Sequence, residues 1–152
     1  MGEDGVRLPS GLAGRRGVVL DTMILIYLFE DHPVFGGLCE SIVEAACNGT
    51  FHAVVTPITT AELLVKPIEK DRPDLADHYR HALAGMRNVS LISLSAETGF
   101  VAGALRAKYG LPLADMFQAA VAMQGPKPTL ISNDKALRKV REVNVLLLED
   151  FV

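Results

Sequence analysis

Residues 17–33 read GVVLDTMILIYLFEDHP. Val18, Val19 and Leu20 make the short aliphatic run expected of a strand buried on both faces, and Met23 to Phe29 continue the apolar pattern. A single acid, Asp21, stands between them, where burying a lone carboxylate is expensive. Two roles are open to it at this point. It caps the helix that carries Ile24, Tyr27 and Leu28, or it serves at a strand's carboxyl end, where open α/β sheets place their ligands.

Outward from this stretch the same grammar repeats. Apolar runs at 17–21, 51–55, 90–94, 129–132 and 144–148 read as five strands. Helical spacing fills the intervals. Segment 37–47 sets Leu38, Ile42, Val43 and Ala46 on one stripe, and segment 74–86 spaces Leu75, Tyr79 and Leu83 four apart. Residues 57–65 open on Pro57, with Pro67 expected to end or kink that helix early. Ser95 with Thr98 opens a further helix that Gly110 closes, and Pro112 fits the first turn of the next. Strands alternating with helices predict a three-layer α/β/α domain around a central, mainly parallel, twisted sheet of about five strands. The domain is expected over 17–152, with 1–16 as a flexible lead-in of little structural weight.

Bulk properties set the boundaries of function. At 152 residues and 49% hydrophobic content the chain has material for one domain with a core of its own. The longest purely apolar run, Met23 to Phe29, is far too short for a membrane span. The first residues, MGEDGVRLPSGLAGRRG, lack the apolar core of a secretory signal, so a cytoplasmic location is expected. Cys39 and Cys47 share one predicted helix, about 12 Å apart along its axis, beyond disulfide reach. A formal charge of −3 does not advertise a nucleic-acid binder, although Lys135, Arg138, Lys139 and Arg141 cluster near the end of the chain.

Three more acids share the ambiguity of Asp21. Glu62, in TPITTAELLVKP, is either a surface helix acid or a functional one. Asp115, in GLPLADMFQAAVAMQG, falls early in a helix that carries almost no other charge, and Ala119 and Ala122 leave room around it. Asp134, in LISNDKALRKV, directly follows the fourth strand, where it or Asn133 could equally cap the next helix. Two acids thus fall at strand ends and two near the starts of helices that follow strands. A right-handed parallel sheet can bring all four to one edge. Carboxylates about 6 Å apart repel by roughly 2–3 kcal/mol per pair at an effective dielectric near 20. Four ionised together call for a divalent cation, and an all-oxygen donor set suits Mg²⁺ or Mn²⁺ rather than zinc.

Taken in order, VVLDTMILIYLFE, TPITTAELLV, LPLADMFQAAVA and LISNDKALRKV resemble the four motifs of the PIN domain, from about Gly17 to Val152. The likeness is greatest to the small stand-alone VapC-type toxins of toxin–antitoxin pairs. The resemblance implies a metal-dependent endoribonuclease that hydrolyses RNA phosphodiester bonds. It implies Asp21, Glu62, Asp115 and Asp134 as an acidic quartet around Mg²⁺ or Mn²⁺, with hydroxyls at Thr22 and Ser132, and Asn133 beside them, in support. It further implies a cognate antitoxin and a homodimer as partners. Arg138 and Lys135 are candidates to hold flanking RNA phosphates.

Other classes fit less well. A phosphorylatable receiver needs an acid pair after the first strand and an aspartate after the third, and SLISLSAE offers none. No glycine-rich phosphate loop follows the first strand, which argues against a nucleotide-binding domain. The alternative within the family is a PIN domain that binds RNA or protein without cleaving.

Overall fold

The computed structural model describes residues 6–152. Five strands form one sheet: β1 (Val18–Leu20), β2 (Ala53–Val55), β3 (Val89–Leu91), β4 (Thr129–Ser132) and β5 (Asn144–Leu147). Their order is β3-β2-β1-β4-β5, and every pair is parallel. Helices α1 (Thr22–Phe29) and α2 (Gly36–Cys47) follow β1, and α3 (Pro57–Glu69) and α4 (Pro73–Ala84) follow β2. Helices α5 (Ala96–Tyr109) and α6 (Leu113–Ala122) follow β3. Short 3-10 turns over Lys135–Lys139 and Leu148–Phe151 complete the described chain.

The weak alternation of the strand sequences has a direct cause: both faces are covered. Val18 and Leu20 enter one core with Ile24, Ile42, Phe51 and Val55, whereas Val19 enters the other with Val54, Met116 and Leu130. Successive side chains of a strand point to opposite faces, so a strand between two cores is apolar at every position. Helices α1 to α4 cover the first face and α5 and α6 the second, giving the expected α/β/α layers. Full burial of each such side chain contributes about 1.5–3 kcal/mol.

The strand order matters most for function. The chain starts at the centre with β1, moves outward through β2 and β3, then crosses back to place β4 on the other side of β1. The order therefore reverses between β1 and β4, and ligand clefts of open α/β sheets form outside the carboxyl ends of strands at such a reversal. Asp21 follows β1 and Asp134 follows β4 by two residues.

Three expectations need correction. Helix α3 does not stop before Pro67 but runs to Glu69, with Pro67 buried inside it. The missing N–H costs one helical hydrogen bond, and packing against α1 and α4 carries the helix through. Pro112 sits one position before α6 as its N-cap rather than in the first turn. The lead-in over 6–16 also has structural weight: Leu12 is fully buried, and Leu8 packs on the first core. Backbone bonds tie this segment down, from Arg7 N to Phe151 O (2.7 Å), Gly14 N to Thr50 O (2.7 Å) and His52 N to Arg15 O (2.9 Å). Gly11, Gly14 and Gly17 supply the left-handed turns that let it follow this path, with φ of 84°, 79° and 72°. The remainder of the expected lead-in, residues 1–5, lies outside the described residues. No helix among the described residues is long and apolar enough to cross a membrane.

Candidate active site

One cleft of about 350 Å³ at the carboxyl ends of β1 and β4 is lined by Asp21, Thr22, Glu62, Asp115, Ser132, Asn133 and Asp134, with Met23, Ile26 and Tyr27 as its apolar wall. All four acids singled out in the sequence meet there. They come from four separate places in the chain: the end of β1, the middle of α3, the first turn of α6 and the loop after β4.

Asp21 is the most enclosed of them, with 7% of its surface exposed. It caps α1 and lines the cleft at once. Its Oδ1 accepts from the Thr22 amide at 2.9 Å as the N-cap of α1, and its Oδ2 accepts from the Ser132 hydroxyl at 2.6 Å. The same Ser132 oxygen accepts from the Asp134 amide at 3.1 Å, which links the ends of β1 and β4. Asp134 likewise caps the turn after it, accepting from the Ala136 amide at 3.0 Å. Capping and a role in the cleft are therefore not competing explanations. A capped acid is one whose direction is fixed.

Glu62 accepts from the Thr22 hydroxyl at 2.8 Å, so the residue after Asp21 orients a second acid of the cleft. Behind these acids lies a buried polar layer made by Thr56, Thr59 and Gln118, each with 1% of its surface exposed or less. Gln118 Nε2 donates to Thr59 Oγ1 at 2.7 Å and approaches Asp21 Oδ1 at 3.4 Å, while Gln118 Oε1 accepts from the Thr56 hydroxyl at 2.6 Å. Thr59 and Thr22 hydroxyls lie 3.0 Å apart. Sequence reasoning missed this layer. The signal was present: Gln118 is a lone amide in MFQAAVA, a helix segment otherwise apolar.

The electrostatics register the crowding. Asp115 is half-buried at the start of α6, where the helix dipole favours an anion. Its carboxyl is nevertheless pushed up to about 6, first by burial and then by the charges of Asp21, Asp134 and Glu62. That is the behaviour of an acid among acids with no opposing charge nearby. Among the described residues, no three His, Cys, Asp or Glu side chains are grouped closely enough, as placed, to hold a metal ion. The donor chemistry still fits a hard divalent cation, because the cleft offers carboxylate and hydroxyl oxygens and no thiol or imidazole.

The basic candidates are placed elsewhere. Arg138, expected to hold a flanking phosphate, does not line the cleft, and its guanidinium instead meets Asp150 at 2.8 Å and Glu149 at 3.7 Å. Lys135 borders a neighbouring open groove lined by Val34, Phe35, Leu38 and Leu147, which shares Asn133 with the acidic cleft. Cys39 is a buried free thiol whose pKa burial pushes up to about 12, and it is inert as a ligand or nucleophile.

The family model described as PIN domain matches residues 18–143. Among solved structures, the chain is similar to VapBC2 from Rickettsia felis bound to a promoter DNA fragment, with TM-score 0.70, 18% identity, and 86% of this chain and 97% of that one covered. A toxin–antitoxin complex from Klebsiella pneumoniae matches with TM-score 0.67, 23% identity and coverage of 86% and 97%. FitAcB from Neisseria gonorrhoeae matches with TM-score 0.66, 17% identity and coverage of 87% and 98%. No sequence match is found among curated proteins.

Proposed function

The chain belongs to the PIN-domain family, and from that premise we propose that it is a metal-dependent endoribonuclease, the toxin of a VapBC-type toxin–antitoxin pair. The observation that carries this reading is the convergence of Asp21, Glu62, Asp115 and Asp134 on one cleft at the topological switch point. A purely structural cleft has no use for four mutually repelling acids, one of them pushed up to about 6 by burial and then by the charges of the other three.

Asp21 and Asp115 are the principal direct ligands for Mg²⁺ or Mn²⁺ in this reading, and Glu62 and Asp134 complete the site directly or through water. The cation, when bound, supplies an activated water and charge neutralisation at the scissile phosphate. The protein's part is to hold the oxygens in place. Ser132 and the Thr22 amide fix both oxygens of Asp21, and the Thr22 hydroxyl fixes Glu62.

The domain is assigned to 17–152, extended by the packed segment over 6–16. A cognate antitoxin belongs to the same reading, supported by the toxin–antitoxin complexes among its structural neighbours; a homodimer and a cytoplasmic location are proposed with it.

The deciding experiment compares wild type with Asp21→Asn and Asp115→Asn on structured RNA, with Mg²⁺ or Mn²⁺ and with EDTA. Cleavage by wild type alone, abolished by EDTA, is the expected result. Equal cleavage by all three, or cleavage that survives EDTA, overturns the assignment. RNA or protein binding without turnover in any metal identifies a non-catalytic PIN module instead. An antitoxin is tested separately, by co-purification with the product of a small adjacent reading frame.

A further inference from the structure

The polar layer beneath the cleft has one hydrogen-bond direction available to it. Glu62 Oε1 is an acceptor, so the Thr22 hydroxyl spends its single proton there. The 3.0 Å contact between Thr22 and Thr59 must then be donated by Thr59. With its own proton committed, Thr59 Oγ1 accepts, and Gln118 Nε2 is the donor at 2.7 Å. The other proton of that amide faces Asp21 Oδ1. The amide cannot be reversed, because Thr56 donates to Gln118 Oε1 and a flipped amide would set a carbonyl against the Asp21 carboxylate. Each side chain of this relay, from Thr56 through Gln118, Thr59 and Thr22 to Glu62, has a partner in this one orientation.

We infer that Gln118, with Thr59, is a positioning residue for the acidic cleft: its amide holds α3 and α6 together and steers Asp21 and Glu62 at once. Asp115 lies one turn earlier on the same helix, so three of the four acids are referenced to this one side chain. Thr56 opens α3 without capping it, and its hydroxyl is given to Gln118 instead. One potential capping bond is thus spent on the site rather than on the helix. Partners that orient metal ligands from behind typically change affinity by about 10–100-fold when removed.

The inference rests on reading the cleft as a divalent-cation site, and the experiment separates the two. Mn²⁺ affinity of the full chain is measured by calorimetry or spin-resonance titration for wild type, Gln118→Met, Thr59→Val, Thr59→Ser and Asp21→Asn, with Tm in EDTA recorded for each. Gln118→Met and Thr59→Val are expected to bind Mn²⁺ about tenfold or more weakly. Thr59→Ser restores the hydroxyl and is expected to stay within about threefold of wild type on the same scale. If Gln118→Met fails to fold, the Val and Ser variants at 59 decide. Lowered Tm with unchanged Mn²⁺ affinity overturns the inference and leaves the layer purely structural. Wild type that binds no Mn²⁺, or no more tightly than Asp21→Asn, overturns the cation reading itself and the inference with it.

Discussion

The two ends of the sheet use polar side chains for different purposes. At the amino ends of the strands, polar groups mostly serve the backbone. Asn88 donates to the carbonyls of Ala46 and Phe51, His52 accepts from the Gly17 amide, and Thr129 donates to the Lys127 carbonyl. Two side-chain pairs join them, His52 with Ser90 and Arg15 with Thr129. At the carboxyl ends the proportions reverse, and hydroxyls, amide and carboxylates bond chiefly to one another across β1, α3, α6 and β4. A group that satisfies a backbone carbonyl closes a loop. A group that satisfies another side chain sets the position of that side chain, which is what a reactive cleft requires.

The contrast breaks most visibly if activity and stability fail to separate. Asp21→Asn and Asp115→Asn are expected to lower RNA cleavage by at least about a hundredfold, measured by gel-resolved rates, while circular dichroism remains that of the wild type. At the opposite end, Asn88→Ala removes two donated bonds and places alanine at a φ of 60°. It is expected to cost about 2–4 kcal/mol in chemical denaturation and to leave Mn²⁺ affinity unchanged. A loss of metal affinity there would erase the distinction between the two ends.

A smaller effect sharpens it through pH. The folded-state carboxyl of Asp115 lies above its ordinary value, so between about pH 4 and 6 the native protein holds the proton more firmly than the unfolded chain. Metal-free stability therefore falls as pH rises through that window. Asp115→Asn removes this loss and, with solvent screening of a half-exposed group allowed for, is expected to raise metal-free stability at pH 7 by about 1–2 kcal/mol, read from urea midpoints at pH 4.5 and 7. A variant less stable than wild type at pH 7 refutes that account of the crowding. The smallest effect is expected at Arg138, whose ion pairs are exposed. Arg138→Ala should change stability by no more than about 1 kcal/mol and leave RNA affinity unaltered in a filter-binding assay.

Much of this was legible in the sequence because it depends on local pattern. The aliphatic runs at 18–20 and 129–132 mark strands with two buried faces, and Ser95 and Gly110 mark helix ends through their own backbone chemistry. The four acids were legible because charge in an apolar context is conspicuous. What escaped has a common character, being tertiary. Pro67 looked like a stop because its missing N–H is local, whereas the packing that carries α3 past it is not. Leu12 looked like part of a tail because its partners lie elsewhere in the chain. Thr59 and Thr56 are unremarkable until α1, α3 and α6 are brought together, and the lone amide of Gln118 shows its partners only then. Arg138 was legible as a cation, but its partners Glu149 and Asp150 depend on how the chain's last turn folds back.

The strand order carries a consequence for synthesis. β1 is made early but lies at the centre of the sheet, and its neighbour β4 is made more than a hundred residues later. At about 5–20 residues per second, Asp21 precedes Ser132 and Asp134 off the ribosome by roughly 6–20 s. During that interval the nascent chain carries at most three of the four acids and lacks the hydroxyl that fixes the first. A translation product that terminates before β4 lacks Ser132 and Asp134, and the four-acid cleft comes into being only when synthesis of the domain is nearly complete.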